Sequence, residues 1–168
     1  MVEENSAVSL AGVQSKEMAS IELTCDDALL IENYGLHWLE IGIRPADVRE
    51  DWRSEAQQFL SDARLKSCLA AFQAEVEGKS VGTACCHIVP RAFPAFRKAD
   101  AARMGYVWGV FVVPKHRGEG IGSMLVSACM AHLRSLGCGR VLLHAGERSA
   151  SLYARMGYAP TDELSATL

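Results

Sequence analysis

The chain has 168 residues, 49% of them hydrophobic and 22% charged, with a formal net charge of −3. That length predicts one domain with a core large enough to stand without disulfide or metal staples. The slight acidic balance, with lysine and arginine spread along the chain, argues against a nucleic-acid binder, and the longest apolar stretch, residues 107–113, is far short of the roughly 20 residues that a membrane-spanning helix needs.

Residues 1–18 mix small, polar and acidic types without periodicity and carry no signal-peptide charge pattern. They are expected to form a flexible extension, leaving 19–168 as a single domain. Residues 21–23 suit a short strand. Thr24-Cys25-Asp26-Asp27 resembles a capping box opening a helix through Glu40. Pro45 breaks the pattern, and a second helix is predicted over 47–64, with Val48, Trp52, Ala56, Phe59 and Leu60 inward. The period then changes to that of strands, and residues 69–76 and 80–89 flank Glu77-Gly78-Lys79 as a β-hairpin. Residues 91–103, basic and interrupted by Pro94 just after Pro90, read as a loop. Residues 104–113 read as a long strand ended by Pro114.

A glycine-rich turn follows, then a helix over 123–135 closed by Gly137 and Gly139, a strand over 140–145, and a short helix over 149–156 with Gly157 after it. The tail from Tyr158 offers a last strand, broken by Pro160. This alternation predicts an α/β sandwich with at least one parallel crossover. The six cysteines (Cys25, Cys68, Cys85, Cys86, Cys129, Cys138) stand in mostly apolar surroundings, without a C-x-x-C pair or a zinc-like histidine spacing. Buried reduced thiols, no metal and a cytoplasmic location are the expectation.

The turn carries the chemistry. Strand, glycine-rich turn and helix together bind phosphate, because glycines adopt φ > 0 and let N–H groups face an anion at the positive end of the helix. A P-loop fails here, since no lysine follows Gly122, and a dinucleotide fingerprint fails at Ser123. What remains is R/Q-x-x-G-x-G/A, present as Arg117-Gly118-Glu119-Gly120-Ile121-Gly122 between a strand ending Val-x-Pro and an amphipathic helix. This segment resembles the acetyl-CoA signature of the GNAT superfamily of N-acetyltransferases. Residues 149–158, containing Leu152-Tyr153 and Gly157-Tyr158, look like the family's LY-x-x-x-GF segment.

The resemblance implies a mixed, mostly antiparallel sheet with splayed central strands and helices on both faces. It implies that Arg117, Gly118, Glu119, Gly120, Ile121, Gly122 and Ser123 wrap the pyrophosphate of acetyl-CoA, Arg117 either touching phosphate or capping the loop. The main chain of Val110, Phe111 and Val112 would bond the pantetheine arm like an added strand. Lys115 and His116 are read as solvated turn residues. Tyr153 matches the tyrosine that serves the departing sulfur. A phenol near pKa 10 gives its proton to a thiolate near 8.5 uphill by about 2 kcal/mol, so a hydrogen bond rather than full transfer is expected.

The general base stays open among Glu147, His144, His87 and water. Some members carry a glutamate where this chain has Val141 and an asparagine where it has Gly146. The first two helices, the joining residues 41–50 and the 91–103 loop would shape the acceptor pocket. Trp38, Trp52, Tyr106 and Trp108 either offer its aromatic walls or pack in the core, and Glu40, Asp47 and Asp51 either attract a cationic amine or form a solvated helix face. The implied activity is acetyl transfer from acetyl-CoA to a primary amine of a small molecule. Acetylation of a protein N-terminus or lysine, and silent acyl-CoA sensing, are the alternatives. The small-molecule amine is the expected partner, with neither nucleic acid nor membrane, and a homodimer is left open.

Overall fold

The structure, a computed structural model, describes residues 18–90 and 103–161. Among them, strands β1 (Ser20–Thr24), β2 (Ala70–Val76), β3 (Lys79–Ile88), β4 (Met104–Val112) and β5 (Arg140–Leu142) form one sheet in chain order. All pairings are antiparallel except β4 with β5, which is parallel. Helices α1 (Asp27–Glu40) and α2 (Trp52–Ser67) lie between β1 and β2, α3 (Ile121–Ser135) between β4 and β5, and α4 (Glu147–Arg155) follows β5. This is the mixed, mostly antiparallel α/β sheet that the sequence led us to expect.

β3 is apolar on both faces because both are covered. Ala84 and Cys86 join Ala70, Ala74 and Val107 under α3, whose Leu125, Val126, Cys129 and Leu133 have no exposure. Cys85 and Ala71 join Leu30 and Ile31 of α1 and Leu60 and Ala63 of α2 on the other face. Gly105 sets how closely α3 lies on the sheet, since a Cβ there would stand 2.5 Å from Leu133 Cδ1. On the opposite face, Asn33 of α1 donates to Thr83 Oγ1 at 3.1 Å, pairing two buried polar side chains.

The β2–β3 hairpin turns through Glu77 and Gly78, both at positive φ (52° and 68°), which matches the right-handed twist of its strands. β4 is the unusual element. It pairs with β5 only through Met104, Gly105 and Tyr106, while its remaining residues run on to Val112 beyond the end of β5. Gly109 has φ 60°, and the β3–β4 register slips by one residue beside it, from Cys85 opposite Trp108 to Thr83 opposite Phe111. Such a bulge bends its strand, and beyond Tyr106 β4 has no pairing with β5. The expected splay is therefore present.

Several boundaries differ from the sequence reading. The N-cap of α1 is Asp26, which accepts from Leu29 N–H at 3.0 Å, while Thr24 Oγ1 accepts from Asp26 N–H. α2 begins at Trp52, because Pro45 starts a separate 3₁₀ turn (Pro45–Asp47) and the chain is extended at Val48. α3 begins two residues before 123 and α4 two before 149, and β5 stops at Leu142. No strand forms over 158–161. The N-terminal extension, apart from Met18, the 91–103 loop, apart from Arg103, and the end of the tail lie outside the described residues. All six thiols are free, but Cys25 and Cys68 are exposed rather than buried, and Cys138 is half-buried.

Cys68 caps α2 at φ 51°, in the left-handed region that only glycine enters without strain. Cys68→Gly is expected to stabilise the fold by about 0.5–1 kcal/mol, read as a rise in the urea midpoint at unchanged m-value.

Candidate active site

The first part of the site is the β4–α3 junction. After β4, Pro114–His116 makes a 3₁₀ turn, and Gly118 and Gly120 take φ 79° and 84°. Gly120 is the N-cap of α3, and no side chain caps it. No acidic residue occupies the first turn, so the N–H groups of Ile121, Gly122 and Ser123 keep their positive field. A Cβ on Gly118 or Gly120 would meet nothing within 4 Å; glycine is needed there for its φ, not for room. Residues 121–123 thus form a helix turn rather than the loop the sequence suggested.

Arg117 holds this junction. Its Nε donates to Val112 O at 2.8 Å and its Nη2 to Glu40 Oε2 at 2.7 Å, with the guanidinium 5.7 Å from the Phe111 ring. Arg117 is thereby tethered to β4 and α1, and Glu40 stands in an ion pair instead of in the acceptor pocket. Asp47 and Asp51 are likewise engaged, by Arg44 and Arg49. Phe111 is buried, and Val110 and Val112 pack half-buried on the α3 core. Lys115 is exposed, and His116 faces Glu119 at 3.6 Å.

α4 positions Tyr153. The helix ends in a Schellman motif, in which Tyr158 N–H bonds Tyr153 O at 3.0 Å and Gly157 N–H bonds Ala154 O at 3.1 Å. Gly157 supplies the positive φ of 86°. The accompanying apolar contact is Tyr153 against Tyr158, with ring centroids 5.8 Å apart. Tyr153 is 7% exposed. Burial pushes its phenol above the usual range, with a hydrogen bond to Ser149 acting the other way. α4 also borders the junction, since Leu152 Cδ2 lies 3.7 Å from a Cβ placed on Gly122.

The second part is a cavity of about 480 Å³ between the sheet and helices α1 and α2, within the size range of small-molecule sites. His87, Tyr106 and Trp108 form its floor, with Tyr34, Trp52 and Phe59 among its walls. His87 lies opposite Tyr106 across the β3–β4 pair. Trp108 is met edge-on by Tyr34 at 5.8 Å and by Phe59 at 5.5 Å. Gly35 lets Trp52 in; a Cβ there would be 2.7 Å from its Cη2. Three of the four expected aromatic walls are therefore present. Trp38 instead packs outside, against Tyr34, and is 40% exposed.

Sequence reasoning placed Phe59 in the core, yet it is 49% exposed and faces the cavity; Tyr34, Arg49 and Glu55 were missed. The signal for Phe59 was available: it follows Trp52 by seven residues, two helical turns along one face.

The candidate bases separate. Trp108 Nε1–H donates to His87 Nδ1 at 3.0 Å, which leaves the proton of the neutral ring on Nε2. Burial lowers the His87 pKa and keeps the ring neutral. With its lone pair already engaged, His87 is suited to donate a hydrogen bond, not to accept a proton. His144 is exposed, and its Nδ1 meets the hydroxyl of Tyr106, the last β4 residue paired with β5. Glu147 opens α4 as an exposed carboxylate.

Residues 33–158 match the Acetyltransferase (GNAT) family. Glucosamine 6-phosphate N-acetyltransferase of Trypanosoma brucei brucei is 33% identical over 101 residues, 59% of this chain. That match spans 65% of the relative, so this chain covers somewhat less than two thirds of it. A GCN5-related N-acetyltransferase from Ralstonia eutropha superposes with a TM-score of 0.78 at 24% identity, covering 90% of this chain and 99% of that one. A protein of Clostridium acetobutylicum described as a predicted acetyltransferase and solved with acetyl-CoA superposes with a TM-score of 0.76 at 20% identity, covering 90% and 96%.

Proposed function

The chain belongs to the GNAT family of acetyltransferases, and on that premise we propose that it moves the acetyl group of acetyl-CoA to a primary amine of a small molecule. One observation carries the reading: the open end of β4 runs directly into a glycine junction whose helix N-terminus has neither a side-chain cap nor an acidic first turn. A diphosphate fits this surface because the amides supply both donors and field, and the carboxylate of the loop, Glu119, faces His116 at 3.6 Å.

In this reading, residues Arg117–Ser123 cradle the diphosphate through the main chain, and Arg117 keeps the cradle tied to β4 and α1. The main chain of Val110, Phe111 and Val112 bonds the pantetheine arm where β5 has left it free of a parallel partner. The co-substrate supplies a thioester whose C–S bond breaks as an amine nitrogen bonds to the carbonyl carbon. Tyr153 donates a hydrogen bond to the sulfur that leaves, and the Tyr106–His144 pair takes the proton that the amine gives up. The aromatic cavity holds the amine. Six free thiols suit the reducing cytoplasm.

Thermal unfolding tests the binding half directly. At about a hundred times its Kd, acetyl-CoA stabilises the native state by about 2.7 kcal/mol, which raises Tm by roughly 5–10 °C for a domain of this size. No shift at millimolar acetyl-CoA would sink the proposal.

A further inference from the structure

The cavity between the sheet and helices α1 and α2 has a chemical character of its own. Its walls are aromatic faces set edge to face: Tyr34 and Phe59 on Trp108, and Phe59 on His87 at 6.2 Å. Such faces favour a planar or bulky apolar body and attract an ammonium approaching them. Among the described residues, the charged groups of its lining are Arg49 and Glu55. Asp51 offsets the charge of Arg49, whose Nε and Nη2 donate to its two carboxylate oxygens at 2.9 and 2.8 Å. Glu55 then stands as the carboxylate of the lining, suited to a cation and opposed to an anion. A phosphate monoester wants the reverse, with unengaged guanidinium or ammonium donors, and buried without them it loses its hydration uncompensated.

We propose that the acceptor is a primary amine carried on an aromatic or bulky apolar body seated among Tyr34, Trp52, Phe59 and Trp108, and not a sugar phosphate. This rests on the acetyl-transfer reading and names the substrate class for it. His87 adds direction: because Trp108 holds its Nδ1, the ring has an Nε2–H to offer an oxygen on the body of the amine.

Tryptophan fluorescence reads the cavity, since Trp52 and Trp108 line it. The protein is titrated with 2-phenylethylamine and with glucosamine 6-phosphate, each with and without CoA. Half-saturation by 2-phenylethylamine is expected at a concentration at least thirtyfold below that for glucosamine 6-phosphate, and thiol-release assays should rank the two amines in the same order. Phe59, which is 49% exposed, can be changed with little risk to the fold. Phe59→Ala should weaken 2-phenylethylamine about tenfold and leave the acetyl-CoA melting shift unchanged, with binding rescued in Phe59→Tyr.

Comparable or tighter binding of glucosamine 6-phosphate, the absence of a saturable change with 2-phenylethylamine, or a Phe59→Ala protein that binds it like the wild type would each overturn the proposal. Loss of the acetyl-CoA melting shift in the wild type would strike the acetyl-transfer reading alone, because the titration without CoA still reports on the cavity.

Discussion

Tyr153→Phe is expected to lower kcat ten- to a hundredfold while the Kd for acetyl-CoA stays within about twofold. The magnitude follows from the bond at stake. A hydrogen bond to a charged group is worth about 1.5–3 kcal/mol, and the sulfur carries full negative charge only as the C–S bond breaks, so the loss belongs to the transition state. The packing is spared, because the phenyl ring still completes the Schellman contact with Tyr158.

The pH dependence separates donating a bond from giving up the proton. Burial raises the phenol's pKa, so the native state holds this proton more tightly than the unfolded chain does. The stability linked to it is fully present below about pH 10, the unfolded value, and fades only as pH rises through the higher native value. Between pH 6 and 9 the wild type and Tyr153→Phe should therefore give parallel profiles of log kcat. A limb in that window present only in the wild type would mean that Tyr153 loses its proton during turnover. Unchanged kcat would remove its role altogether. Normal coenzyme binding without turnover on any amine would favour the sensor.

Local signals carried much of the design into the sequence. The glycine junction, the hairpin and the Leu152–Gly157 segment each owe their shape to residues within a few positions of one another, so pattern and spacing reveal them. What stayed hidden depends on long-range partners. Glu40 on α1 is a plausible anchor for an amine until Arg117, 77 residues away, is seen to hold it. Phe59 reads as core by hydrophobic periodicity, and only the way α2 crosses the sheet turns it toward a cavity. His87 was a candidate base by its chemistry alone. The indole of Trp108, brought beside it by β3–β4 pairing, makes it a donor instead. The start of α2 was misplaced for a local reason: Asp47 reads as a helix opening, but it ends the 3₁₀ turn that begins at Pro45, and the chain is extended at Val48 before the helix starts at Trp52.

The glycine junction offers the other large effect. Gly118→Ala combined with Gly120→Ala is expected to raise the Kd for acetyl-CoA at least thirtyfold. Each alanine in the left-handed region costs about 1–2 kcal/mol, and neither new methyl would clash, since a Cβ at either position meets nothing within 4 Å. The strain is therefore purely one of φ, and the exposed loop relieves it by leaving the conformation that aims its amides at the diphosphate. The hydrophobic core takes no part in that relaxation, so the apo protein should lose only a few degrees of Tm.

Gly122 supplies the contrast. Its φ is not positive, and a Cβ there would make an ordinary contact of 3.7 Å with Leu152. Gly122→Ala should thus leave apo stability equal or slightly raised, alanine being the better helix former. Its coenzyme affinity then reports close approach by itself: a loss means that the ligand backbone presses against this position, and wild-type affinity means that conformation at Gly118 and Gly120 carries the whole requirement. Isothermal titration of the three proteins measures both. A double variant that binds acetyl-CoA as tightly as the wild type would show that main-chain amides of this turn do not hold the diphosphate.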